Sequence, residues 1–146
     1  MDPESIFSEV KKILMADKTI TAYVKEENFF CGDRPSIART NFPNIVLEVV
    51  NNSLYKIEEN NQQIKIFKMM IEGGILIQDF EKQIIGDTDS KGVLDIESDI
   101  YTALLTYYPD LNSNCLYFTL STNAYTELES GYGRVVFIEA NFYYRI

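Results

Sequence analysis

Apolar positions along this chain follow a helical period in two places and strand-like alternation nearly everywhere else. Ile6, Val10, Ile13 and Leu14 recur at steps of three and four behind Asp2 and Pro3, a capping acceptor and a residue whose missing N–H costs nothing in a first turn. A helix is predicted from Pro3 to about Met15. Thr19 to Phe30 is rich in β-branched and aromatic residues, which predicts extended structure with Tyr23 and Val24 in a strand, broken by Gly32 and Asp33. After Pro43 the run NIVLEVVNN is apolar and β-branched, as a covered central strand is. Leu54, Tyr55 and Ile57, then Ile64, Ile66 and Phe67, predict two further strands joined at the polar turn EENNQQ. In MMIEGGILIQDF the paired Gly73 and Gly74 predict a turn.

The second helical period covers Leu94 to Tyr108, where Ile96, Ile100, Leu104 and Tyr107 share a face and Pro109 ends the helix. The remainder, CLYFTLST, AYTELES and RVVFIEANFYYRI, reads as strands, with Gly131 and Gly133 separating the last two. This order predicts an α+β fold, a mainly antiparallel sheet with two helices packed on one face, in a single domain over 1–146. Ile45, Val46 and Leu47 are the expected core of its central strand.

Charge narrows the function. Thirteen Lys and Arg against 22 Asp and Glu give a net charge of -9, which repels nucleic-acid backbones and anionic membranes. There is no histidine in the chain, which removes the usual catalytic triads and histidine-ligated zinc. No glycine-rich loop carries the lysine and following helix that phosphate binding needs. The segment DTDSKGVLDIES places Asp87, Asp89 and Gly92 as a calcium loop would. Lys91 and Ser98 then occupy two positions that need oxygen ligands, so Asp95 is expected to cap the helix instead. Glu127, Glu129 and Glu139 could supply paired carboxylates, but strand alternation alone explains them. Cys31 and Cys115 are expected to be reduced, buried thiols. No enzyme activity, cofactor or metal is expected. The N-terminus has acids where an export signal has basic residues, so a soluble, unexported chain is expected. Among ten tyrosines and nine phenylalanines, the cluster of Phe142, Tyr143 and Tyr144 suits a sheet face that meets another protein.

Two of the four arginines and two of the four prolines fall in FFCGDRPSIARTNFPNIVLEVV. As a surface connection the segment accounts for its prolines, which hold the chain extended and start the next strand. Arginines beside Phe29, Phe30 and Phe42 fit a docking strip for a partner's carboxylates. The residues expected to make subunit or tube contacts are Arg34, Pro35, Arg39, Phe42 and Pro43.

The same residues carry a resemblance. An N-terminal helix, an extended piece leading to G-D-R-P, a spacer and N-F-P before an apolar strand resembles the tail terminator proteins of long-tailed phages of the lambda type. In that family the segment reads D-G-R-P, spacer, D/N-F-P, so the order of Gly32 and Asp33 is inverted here. The closing strands and the aromatic end NFYYRI extend the likeness, which leaves out Gly73 to Thr88. The resemblance implies a structural subunit of a phage or prophage-derived particle. It would form a six-membered ring of identical copies on the tail tube, stop tube growth and present a head-joining surface. The implied partners are further copies of the chain, the tail tube protein and the head–tail connector, with DNA only in transit through the bore and no membrane. Such a subunit is assembled in the bacterial cytoplasm and resides in the virion tail. The competing readings are a head–tail connector or neck adaptor, and an acidic inhibitor or immunity-type protein steered by its charge.

Overall fold

A computed structural model describes residues 2–32, 41–57, 63–129 and 131–146, apart from the side chains of 55–57, 110 and 112. Helix α1 spans Pro3–Ala16, and the Asp2 carboxylate accepts from the Ser5 N–H at 2.8 Å, as the capping pattern predicts. Its Ile6, Val10, Ile13 and Leu14 are buried.

The next segment departs from expectation. Tyr23 and Val24 are not in a strand: a short helix α2 covers Lys18–Thr21, and a 3-10 turn covers Glu26–Asn28. Asp17 overrides the β-branched composition, because its carboxylate accepts from the Ile20 N–H at 2.9 Å and its carbonyl from the Thr21 hydroxyl. Ile20, from α2, and Val24, from the irregular backbone after it, then face the core. Only Phe29–Cys31 is extended, as strand β1.

Strand β2 runs over Asn44–Ile57, joining what reads in sequence as two strands; register shifts between Val49 and Asn51 and between Leu54 and Lys56 absorb the irregularity. Strand β3, Gln63–Leu76, pairs antiparallel with β2, as the expected hairpin requires, while the polar turn expected between them lies outside the described residues. Gly73 and Gly74 are not a turn; they lie inside β3. Two short segments follow where the sequence pattern is weak: α3, Phe80–Ile85, capped by Asp79, and later α5, Tyr108–Asn114. Between them, α4 covers Val93–Thr106. Pro109 follows the end of α4 but stands in the first turn of α5, a position that suits its fixed φ. Strand β4, Tyr117–Glu127, unites two expected strands, and β5 covers Gly133–Arg145.

The sheet order is β1-β2-β3-β5-β4, parallel at β1 and antiparallel elsewhere, so the fold is α+β as the sequence indicates. One face carries Ile45 and Leu47, then Phe67, Met69, Ile71 and Ile75, then Val136, Ile138, Ala140 and Phe142. These merge with the apolar side chains of α1, α2, α4 and α5 into one core. Tyr144 also points inward, its hydroxyl donating to Asn52 Oδ1 at 2.9 Å. So Phe142 and Tyr144 belong to the core, and of the expected aromatic cluster only Tyr143 falls on the second face.

Gly73 explains how closely α4 lies on the sheet. A side chain there would overlap Ile96 Cγ2 and crowd Val136 and Ile100. Gly73→Val is expected to destabilise the fold by about 1–3 kcal/mol, the usual cost of overpacking, measured as a lowered urea midpoint at unchanged slope.

Candidate assembly surface

The second sheet face differs in chemistry from the first. Beside Val46 and Val135, which are buried, it presents half-buried Ile66, Met70, Phe137 and Tyr143. Tyr143 stacks on Tyr117 across the β4–β5 ladder, with centroids 4.2 Å apart. Among these apolar groups, Glu139 stands 3.6 Å from Lys68 and accepts from Asn141 at 2.9 Å. Hydrogen bonding to Asn141, ahead of the smaller pull of Lys68, holds its carboxyl below the usual glutamate value. Glu127 pairs with Arg134 in register and so lies on the opposite face, which separates it from Glu139. The carboxylates that share a parity in sequence therefore form no pair.

At one end of this face the chain enters from the docking strip. Arg34, Pro35 and Arg39 lie outside the described residues. Phe42 and Pro43 are described and half-buried, joined by a cis peptide bond immediately before β2. The Phe42 ring lies over Gly74, where an added Cβ would meet Asn44 Oδ1 at 2.6 Å and Phe42 Cε1 at 3.0 Å. Asn28 donates to the Pro43 carbonyl at 3.2 Å, and Asn44 donates to the Asn41 carbonyl at 2.9 Å. Two buried amides thus fix the backbone at Asn41 and Pro43. Glu72, buried beside Gly74 on β3, pairs in register with Val46 and Phe137.

Phe42 and Pro43 also form one wall of a cleft of about 780 Å³, whose other walls include Tyr23, Ile77 and the loop Asp87–Lys91. That loop is closed by its own backbone: the Asp87 carboxylate accepts from the Asp89 and Ser90 N–H groups at 2.8 and 2.7 Å, and Lys82 stands 3.5 Å away. Those bonds, the backbone ones foremost, hold its carboxyl below the ordinary aspartate value. Gly92 is the N-cap of α4; Asp95, expected to cap the helix, sits one turn in and accepts from the Gly92 N–H at 2.9 Å. Asp99 accepts from the Tyr23 hydroxyl at 2.7 Å, and burial together with this bond pushes the Tyr23 phenol far above its usual value.

Edge strand β4 is tied to α4 by a cluster absent from the sequence expectations. Glu97 accepts from both Thr122 and Tyr125, and Tyr101 meets Thr122 at 3.1 Å. Helical spacing of Glu97 and Tyr101 was the available signal, but their strand partners are fixed only by register.

No protein-family model and no curated protein matches the chain. Among solved structures, it is similar to a chain of the "Virion of native gene transfer agent (GTA) particle", at 8% identity and a TM-score of 0.46, over 94% of this chain and 92% of that one. A likeness this loose carries no argument about function. Among the described residues, no helix is long and apolar enough to cross a membrane.

The two thiols differ. Cys115 is buried, donates to the Leu111 carbonyl at 3.2 Å, and burial pushes its pKa up to about 11. Cys31, expected to be buried, is exposed, because β1 is an edge strand. In native protein at neutral pH a soluble maleimide is expected to label Cys31 quickly and Cys115 only on unfolding, as read by peptide mass spectrometry. Equal labelling of both would contradict the packing of α5.

Proposed function

We propose that this chain is a structural subunit of a phage-type virion tail, a tail terminator. It forms a ring, hexameric by the resemblance, on the end of the tail tube, stops tube growth and offers the head-joining surface. The observation that carries the reading is the second sheet face. Ile66, Met70, Phe137 and Tyr143 stand half-buried around the Lys68–Glu139 ion pair, a mixture of aromatic, methionine and charged groups that suits burial on assembly. The strip ending in Phe42 and Pro43 adjoins that face and carries the R-P and F-P pairs of the resemblance. In this account Arg34 and Arg39 meet carboxylates of a neighbouring subunit or of the tube, while Pro35 and Pro43 set the strip's direction. The acidic balance leaves DNA passing through the bore with little to hold it. Catalysis, cofactors and metals have no part in this role.

The test is negative-stain imaging of gold-labelled protein mixed with purified tail tubes of the same particle. Label at one end of each tube, with growth arrested, is expected. Label away from the ends would refute the terminator role and favour a neck adaptor; a tight one-to-one complex with a basic protein would favour the inhibitor reading. Arg34→Glu is expected to leave a folded subunit that no longer caps tubes, and capping retained by that variant would remove Arg34 from the account.

A further inference from the structure

Among the described residues both edges of the sheet are open, and they differ in kind. On one side β1 pairs only with Ile45, Val46 and Leu47, so beyond Leu47 strand β2 is paired, among the described residues, with β3 alone. That stretch exposes large apolar side chains: Val49 is 58% exposed, Val50 48% and Leu54 53%. On the other side, β4 is paired, among the described residues, with β5 and no other strand. From Tyr117 to Glu127 it contains no proline and no lysine, the usual guards of an edge, and Tyr125 is 42% exposed. Open strand edges with exposed apolar side chains are a hazard on a small domain unless something covers them.

Strand direction says what fits. β2 is antiparallel to β3, β3 to β5 and β5 to β4, so β2 and β4 run in opposite directions at opposite edges. Laid side by side in the same orientation, two copies bring the β4 of one beside the β2 of the next, and the antiparallel alternation continues without a break. Residues 48–57 and 117–127 are also of closely matched length. A β4-to-β4 pair would satisfy one edge but leave Val49, Val50 and Leu54 in water. Head-to-tail pairing consumes both edges, and repeated by rotation it closes into a ring with the helices of every copy on the same side.

We infer that the β4 edge of one subunit adds to the open half of β2 in the next, and that this strand junction is the repeating contact of the assembly. The inference rests on the ring-forming role proposed above. Backbone hydrogen bonds would hold the junction, while Val49, Val50, Leu54 and Tyr125 become cross-strand neighbours of the adjoining copy. The Glu97 cluster, which ties Thr122 and Tyr125 to α4, would hold β4 in place and pre-ordered for a partner.

The inference is tested by blocking each edge separately. Of any two adjacent residues on an edge strand, one points its N–H away from the sheet, and a proline there spares the fold. The variants are therefore Tyr125→Pro or Thr126→Pro for β4, and Ser53→Pro or Leu54→Pro for β2, keeping whichever of each pair melts as the wild type does. Should neither proline fold, Thr126→Lys and Leu54→Lys replace exposed side chains and guard the edge by charge. Assembly is followed by native mass spectrometry over a concentration series, alone and with purified tail tubes. Wild type is expected to form a closed ring, and each variant alone to stay monomeric or to need at least about tenfold more protein to assemble. Mixing the β4-blocked and β2-blocked chains should yield a one-to-one dimer and nothing larger, because one intact edge of each kind remains. Rings formed undiminished by both variants would overturn the strand junction and leave the ring reading standing. Dimers of the β2-blocked chain alone would overturn it in favour of a symmetric β4 pair. Wild type that stays monomeric even with tubes would overturn the ring reading and the junction together.

Discussion

The approach of α4 to β3 at Gly73 governs the rest of the fold. With no side chain at that point, Ile96 and Ile100 sit directly on the middle of the sheet beside Val136. The helix lies along the sheet near its centre, and α1 packs over it. The buried apolar residues of both long helices all join the core on one face. An equally large side chain at Gly73 would lift α4 and open the centre of the core, where packing leaves little slack. The second face receives no share of that helical cover.

That asymmetry is what leaves the chain suited to assembly. A sheet covered by helices on one side can face water only if its other side is polar, and here it is mixed: Met70, Phe137 and Tyr143 stand with Lys68, Glu139 and Asn141. Gly74 adds the local detail. Its lack of a side chain lets the Phe42 ring pack against the sheet at the mouth of β2, so the end of the candidate strip meets the second face beside the residue that admits α4 to the first. Adjacent glycines in one strand thus serve opposite faces, one for packing within the chain and one for the path of the strip.

This is also why the sequence misleads at that point. A glycine pair reads as a turn because glycine's freedom is most often used there. Close approach of other groups to the backbone is a tertiary cause, and no local pattern encodes which helix or ring will arrive. The segment around Tyr23 fails in the same way: β-branched residues suggest a strand, whereas the Asp17 side chain nucleates a turn of helix. By contrast α1, α4, the β2–β3 hairpin and the strands at the end of the chain are legible, because their periods are set by burial of one face. The candidate strip was legible as composition, an excess of arginine and proline in an acidic chain. Of its five residues, the structure describes Phe42 and Pro43 and fixes what they touch. The edge strands were legible as strands but not as edges, since sheet order is decided by long-range pairing.

The edges and the faces constrain one another. If copies join edge to edge, the curvature of the ring is set by the twist of each sheet and by the irregularities in β2 and β4, at Val49/Asn51, Leu54/Lys56 and Thr122/Ala124. Two of those three lie within the half of β2 that is paired, among the described residues, with β3 alone, and the third lies in the middle of β4. Bulges bend a strand where they occur, so the stretches of chain offered for pairing are also the ones already bent. A flat pair of edges would favour an open fibre, whereas bent edges that meet at a fixed angle favour closure. In a closed ring one face of every subunit turns inward and the other outward. The contact between copies would then lie at the strand edges, and the mixed second face, with Lys68 and Glu139, would be left for the tube or the head connector to bury.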